Sequence, residues 1–116
     1  MIKVIFFIFS IFIYSNAYSE SVVKAGDSLI WDSENKSYTA TGSVEFSNDT
    51  FIAFSEKMIA KYVEQGGKEL FMIVELFENV RIELKDEIFQ GDYAIYTRDD
   101  NTIILTGDCL LYTSPS

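Results

Sequence analysis

Histidine is absent from the 116 residues, and proline and cysteine occur once each. Without an imidazole, the chain has no Ser-His dyad and no usual zinc triad. A lone cysteine forms no intramolecular disulfide, and we expect Cys109 to be a small core residue. Basic residues are also scarce, since 9 lysines and arginines stand against 18 acidic residues, so nucleic acid is not an expected partner.

Paired carboxylates are the remaining candidates for catalysis or calcium binding. They occur at Asp86-Glu87 and at Asp99-Asp100. Both pairs fall in predicted turns, where acidic side chains commonly accept hydrogen bonds from the nearby backbone. The sequence therefore predicts a protein that is not an enzyme and that has no cofactor or metal.

The N-terminus has the pattern of a secretory signal peptide. Lys3 precedes an eleven-residue apolar run, Val4–Tyr14, and small residues follow up to Ala17. We predict cleavage after Ala17, which divides the chain into a signal peptide, residues 1–17, and a single mature β domain, residues 18–116. The alternative is an uncleaved membrane anchor, which would normally need about twenty apolar residues.

Two stretches, Gly26–Phe46 and Gly91–Leu111, repeat one pattern 65 positions apart. Each begins with Gly-Asp, continues through an apolar run and a polar cluster, and ends in a second apolar run that contains Thr-Gly. Self-similarity of this kind indicates one supersecondary unit used more than once, here strand, turn and strand. The glycines of the two Thr-Gly pairs, Gly42 and Gly107, predict bends or bulges.

Alternation of apolar and polar residues runs along most of the remaining sequence. Val80–Lys85 alternates strictly, and Gly66-Gly67 predicts a hairpin turn. Ser55–Val63 is compatible with a helix, but its alternation favours a strand. The whole pattern predicts nine or ten short antiparallel strands in an all-β fold, as a sandwich, a jellyroll or a solenoid-like sheet stack.

Aromatic residues make up 16% of the sequence, a large share for a small β domain. Core packing accounts for much of this content. Runs such as Leu70–Val74, however, place apolar side chains on both faces of a sheet. This excess leaves room for an apolar groove that would take acyl chains, at about 0.8 kcal/mol per buried methylene.

The repeat residues resemble those of the LptA or OstA-like family of periplasmic lipopolysaccharide-transport proteins. In that family a strand starts at Ala/Gly-Asp and a later one contains a Thr-Gly-Asn-Val-like motif. The resemblance covers Val22 to Leu111, and Glu78 replaces the glycine of the middle motif. The three copies in register are Gly26-Asp27 with Thr41-Gly42-Ser43-Val44, Ser55-Glu56 with Glu78-Asn79-Val80, and Gly91-Asp92 with Leu105-Thr106-Gly107-Asp108.

The resemblance implies a twisted open β-jellyroll of antiparallel repeats with an interior apolar groove. It implies binding of lipopolysaccharide, through the acyl chains of lipid A, and its relay across the periplasm to support outer-membrane assembly in a Gram-negative envelope. The implied partners are an inner-membrane anchored component, an outer-membrane translocon and further copies joined head to tail by edge strands. The implied groove lining is Val22, Leu29, Trp31, Val44, Phe46, Val80, Ile82, Leu84, Tyr96 and Leu105.

Two other functions fit the same sequence. The chain could be a structural or assembly module that connects envelope proteins by edge-strand addition and binds no lipid. The third hypothesis is a hydrolase that uses Asp99 and Asp100. The sequence stops at Ser116, soon after the third motif copy, so it resembles a short family member that lacks the last strands and has an exposed edge at Cys109 to Thr113.

Overall fold

The computed structural model describes residues 21–113, which form eight β-strands. The predicted signal peptide lies outside these residues. The strands are β1 (Val22–Lys24), β2 (Ser28–Asp32), β3 (Ser37–Ser47), β4 (Ile52–Gln65), β5 (Lys68–Leu84), β6 (Glu87–Thr97), β7 (Thr102–Thr106) and β8 (Leu110–Thr113).

All eight strands belong to one open antiparallel sheet with the order β1-β3-β4-β5-β6-β7, in which β2 also pairs with β3 and β8 also pairs with β6. The all-β prediction is confirmed, and Ser55–Val63 is a strand because it lies within β4. Strands are fewer than predicted because β4 and β5 each continue through a corner without ending. No helix long and apolar enough to cross a membrane occurs within residues 21–113.

One line of irregular pairing, which we call the crease, crosses the sheet at the same level of every strand. The register shifts at Thr41/Val44, Phe54/Lys57 and Phe77/Val80. At the two edges, the gaps between β1 and β2 and between β7 and β8 lie at this level too. The crease separates a hairpin half, which contains β2, β7 and the β4–β5 turn, from a terminal half, which contains β1, β8 and the β3–β4 turn.

Pairs of residues with left-handed backbone conformation form the crease. They are Gly42-Ser43, Glu78-Asn79 and Gly107-Asp108, with φ between 41° and 85°. A Cβ atom added at Gly42 would lie 2.5 Å from Oδ2 of Asp27, and one added at Gly107 would lie 2.5 Å from Oδ2 of Asp92. The predicted bends are therefore confirmed. The repeat has a physical basis, since the aspartate of each Gly-Asp packs on the glycine of the following Thr-Gly.

The two halves pack their inner faces against each other. Phe46 and Phe51 of the terminal half contact Tyr96 of the hairpin half, with ring centroids 6.4 Å and 5.1 Å apart. Phe71 of the hairpin half meets Phe46 edge-on at 6.0 Å. Aromatic pairs of this kind contribute about 0.5–1.5 kcal/mol each beyond the area they bury. The other buried apolar residues of this core are Ala40, Val44, Ala53, Met58, Ala60, Val74, Leu76, Val80, Ile82 and Ala94.

The prediction that Cys109 is a core residue is wrong, because its side chain is exposed in the connection between β7 and β8. Its counterpart in the repeat, Val44, is fully buried. Val44 lies in β3, which has paired strands on both sides, whereas Cys109 lies beside β8, which pairs only with β6 among the described strands. Equal positions in a repeat thus differ in burial when one copy is at the sheet edge.

Candidate functional site

A cleft of about 1020 Å³ opens on the inner face, bordered by β1, β2, the β4–β5 hairpin and the β6–β7 turn. Its volume is at the upper end of the range of about 300–1,000 Å³ that is typical of ligand pockets. Both halves of the sheet contribute to it, because β1 belongs to the terminal half. The apolar and aromatic lining residues are Val23, Leu29, Tyr38, Leu70, Phe71 and Met72.

An aromatic cluster forms one wall beside the cleft. The ring of Tyr38 lies 5.4 Å from that of Tyr62 and 5.8 Å from that of Phe71. Trp31 extends this cluster, because its indole Nε1 donates a hydrogen bond of 2.6 Å to the Tyr62 hydroxyl. The Trp31 side chain is held on the inner face in this way although it is 58% exposed. It presents a large apolar surface next to the cleft.

The rim of the cleft carries charges of both signs. The charged residues around the opening are Glu64, Lys68, Glu69, Arg98 and Asp99. The hydroxyl of Tyr38 donates a 2.7 Å hydrogen bond to Oε1 of Glu69, and this bond to a carboxylate raises the pKa of Tyr38 to about 12. Tyr38 therefore stays neutral at physiological pH. Apolar and polar residues therefore both line the cleft, a combination that suits an amphiphile with a hydrocarbon chain and a polar head group.

Five of the ten predicted groove residues are packed core residues. Val44, Phe46, Val80 and Ile82 are at most 1% exposed, and Tyr96 is 7% exposed. They face the space between the halves, as alternation predicted, but other side chains already fill that space. A ligand would reach them only if the halves moved apart or if core side chains changed position.

The other five predicted residues lie nearer the surface. Leu84 and Leu105 pack against the core from its margin. Leu29 lines the cleft, and Trp31 lies beside it. The inner-face prediction is wrong for Val22, because Val22 pairs with Ser47 on the outer face while the next residue, Val23, pairs with Phe46 and lines the cleft.

Several residues that line the cleft are not among the predicted groove residues, above all Val23, Tyr38 and Phe71. The alternation around Tyr38 does place it on the face of Ala40 and Val44. Phe71, in contrast, lies in a continuous apolar run, where alternation gives no face. A bulge near Met72 then shifts the register between β4 and β5, and no feature of the sequence marks it.

Three of the four acidic residues proposed for catalysis or calcium binding lie in turns, as predicted, whereas Glu87 is the first residue of β6. Asp86 is in the β5–β6 turn, and Asp99 and Asp100 are in the β6–β7 turn. The backbone carbonyl of Asp100 accepts a hydrogen bond from the Thr102 hydroxyl at 3.0 Å. Within residues 21–113, no group of three or more potential metal ligands comes together.

Comparisons with known proteins find similar chains among solved structures but no relative by sequence. No family model matches the chain, and no curated protein matches it. Among solved structures, the chain is similar to LptH, the LptA-homologous periplasmic component of the lipopolysaccharide transport device from Pseudomonas aeruginosa. The two are 9% identical with a TM-score of 0.38, over 83% of this chain and 96% of that one. These values do not place this chain in the family of LptH.

Proposed function

We propose that this chain is an LptA/OstA-like, non-enzymatic periplasmic protein that binds lipopolysaccharide and relays it from the inner to the outer membrane. The observation that supports the proposal is the inner cleft, whose apolar lining residues lie beside the hydrophobic core between two half-sheets. In this proposal the acyl chains of lipid A enter between the halves. The charged rim faces the polar part of the lipid.

The apolar core offers an acyl chain surroundings in which it stays out of water during the relay. Exposure of the chain to water would cost about 0.8 kcal/mol per methylene. Entry into the packed space separates aromatic pairs such as Phe46–Tyr96, which contribute about 0.5–1.5 kcal/mol each beyond the area they bury. The core side chains stay in apolar surroundings when the lipid replaces their partners, which limits the cost of separating the halves.

The edges of the sheet support the proposed relay and its partners. β1 and β2 pair only with β3, and β7 and β8 pair only with β6 among the described strands. An edge strand can pair with a strand of another protein by β-augmentation. We propose that these edges join the chain to further copies, to an inner-membrane anchored component and to an outer-membrane translocon, which would make the apolar interior continuous.

The second candidate function is an assembly module that connects envelope proteins through the same edges and binds no lipid. The observation that favours it is the closed packing of Val44, Phe46, Val80 and Ile82. In this alternative the interior serves stability alone. The two candidates differ in whether lipid ever contacts the inner face.

Neighbouring residues of β2 provide a matched test of lipid contact. Leu29 lies on the inner face and is 50% exposed, whereas Ile30 lies on the outer face and is 59% exposed. A photo-crosslinking amino acid at each position, in the full chain in Gram-negative cells, should capture lipopolysaccharide strongly at 29 and weakly at 30. Both positions are on an exposed edge strand, so neither substitution disturbs the core.

Equal capture at the two positions would contradict the cleft as the lipid site. Absence of lipid at both positions, together with crosslinks to envelope proteins, would favour the assembly module. A lipid-extraction mass spectrum of the protein purified from its own envelope then identifies what the cleft contains.

A further inference from the structure

The outer face of the hairpin half carries an apolar surface that lies opposite the cleft. Its central row consists of one residue from each of six paired strands: Ile30, Thr39, Ile59, Glu75, Ile95 and Ile104. At the two ends of this row, Ile30 and Ile104 are 59% and 56% exposed. The rows on either side add Ile73 and Phe77 on the same face.

Charge on this surface is balanced, although the chain as a whole has a formal charge of −9. Lys57 and Lys61 project outward from β4, and Glu75 projects outward from β5. The fourth charge, Asp32, accepts hydrogen bonds from its own turn, including one of 2.7 Å from the Asn35 side chain. An acidic protein with one balanced apolar face can bring that face against a second acidic molecule without strong local repulsion.

The charges also form two adjacent columns, a basic one along β4 and an acidic one along β5. Lys57 and Lys61 flank Ile59 on β4, and Glu75 stands directly opposite Ile59 on β5. The boundary between β4 and β5 is the middle of the six-stranded hairpin half. A two-fold axis parallel to the strands along this boundary would place β4 of one copy over β5 of the other. The two lysines of each copy would then flank Glu75 of its partner.

We propose that two copies of this chain pair back to back through this surface, as two stacked sheets about 10 Å apart. Because β2 and β7 are equally far from the axis, Ile30 of each copy would meet Ile104 of the other. The contact is isologous, so it closes at two copies. It is distinct from edge-strand joining and from lipid binding, since it uses the outer face of β2 and β7 and leaves their unpaired backbone edges and the inner face free.

The area of the surface is sufficient for such a pair. Six strands spaced about 4.8 Å apart, with about five to ten residues each at about 3.3 Å per residue, cover roughly 600–700 Å². A standard protein interface buries about 800 Å² on each partner. The two copies together would bury roughly 1,200–1,400 Å², which is at the lower end of the range of about 1,200–2,000 Å² for specific interfaces.

Charge reversal followed by mixing tests the proposed arrangement. The variants are Lys57→Glu/Lys61→Glu, with two acidic columns, and Glu75→Lys, with two basic columns. Sedimentation of the purified protein should show a dimer for the wild type and at least about tenfold weaker self-association for each variant. A mixture of the two variants should restore the dimer, because every acidic column then meets a basic one.

A matched control places the same charge change on the other part of the molecule. Lys24→Glu/Lys85→Glu alters the terminal half and should leave the dimer unchanged. A wild type that stays monomeric throughout the micromolar range would overturn the proposal. So would variants that dimerise like the wild type, or variants that lose the dimer and do not recover it on mixing. Open-ended growth that none of the variants affects would point instead to joining by edge strands.

Discussion

The first left-handed residue of the crease is a glycine in β3 (Gly42) and in the β7–β8 connection (Gly107). In β5 it is a glutamate (Glu78). The φ angles of Gly42, Glu78 and Gly107 are 81°, 68° and 85°, and the residue after each one is also left-handed. One backbone geometry is therefore built with two kinds of residue. What distinguishes the glycine positions is the aspartate side chain that packs on each of them.

This difference indicates why two of the three positions have glycine. A left-handed residue with a side chain costs about 1–2 kcal/mol, which a folded sheet can tolerate. A Cβ in contact with Asp27 or Asp92 would add a steric clash to that cost. Glu78 is exposed and has room for its side chain, so the central position bears the backbone cost alone.

The largest effect is expected where both costs apply. Gly42→Ala should lower the free energy of unfolding by roughly 2–3 kcal/mol, because it combines the left-handed φ with the clash against Asp27. Gly107→Ala should cost less, about 1–2 kcal/mol, since it lies beside the edge strands β7 and β8. Urea unfolding followed by circular dichroism measures both values.

The double variant Asp27→Ala/Gly42→Ala separates the two contributions. Removing the carboxylate takes away the closest contacts and leaves the backbone cost and a contact of 2.8 Å with the Cβ of residue 27, so the double variant should recover part of the stability that Gly42→Ala loses. If the double variant is no more stable than Gly42→Ala, the contact with the carboxylate is not what requires glycine.

An intermediate effect of opposite sign is expected at the central position. Glu78→Gly should raise the free energy of unfolding by up to about 1 kcal/mol, because glycine adopts φ of 68° without strain and loses part of this gain to chain entropy. Glu78→Ala keeps the backbone cost and should stay within about 0.5 kcal/mol of the wild type. A stabilisation by alanine equal to that by glycine would show that the glutamate charge matters and the backbone does not.

The smallest effect concerns the bonds beside the crease on the outer face. The Tyr93 hydroxyl donates a 2.6 Å hydrogen bond to Oε2 of Glu75 near the central position, and this bond raises the pKa of Tyr93 to about 12. Near Gly42 the corresponding hydrogen bond joins the hydroxyls of Ser28 and Thr41 at 2.7 Å, and these hydroxyls do not lose a proton in the pH range in which Tyr93 does.

A raised tyrosine pKa gives stability that is complete below the ordinary value of 10 and is lost as pH rises from there through about 12. The stability advantage of the wild type over Tyr93→Phe, under about 1 kcal/mol at neutral pH, should therefore shrink across that interval. Urea unfolding at a series of pH values measures it. Ser28→Ala is the control, because its effect should not depend on pH in the same interval.

The fold was predictable from the sequence because its strongest signals are local. Alternation identifies the strands, the Gly66-Gly67 turn identifies the central hairpin, and the repeated Gly-Asp and Thr-Gly pairs mark the bends. The count of strands was not predictable, since β4 and β5 continue through their corners instead of ending there. Corners and turns interrupt alternation in the same way.

The candidate site was less predictable because it depends on contacts between distant strands. Alternation identified the face of Phe46, Val80 and Ile82, but it could not tell a filled core from an open cleft. That distinction depends on how closely the halves pack, and the rings of Phe51 and Tyr96 meet between them with centroids 5.1 Å apart. Val22 was misplaced because a strand of three residues is too short to reveal its register.

The crease also limits what can be added at the edges of the sheet. A straight strand can pair with one half only, as β1, β2, β7 and β8 do. A strand that pairs with both halves must bend at the level of the crease, as β3, β4, β5 and β6 do. A strand from another molecule would therefore contact either the hairpin half or the terminal half unless it has a bend of its own.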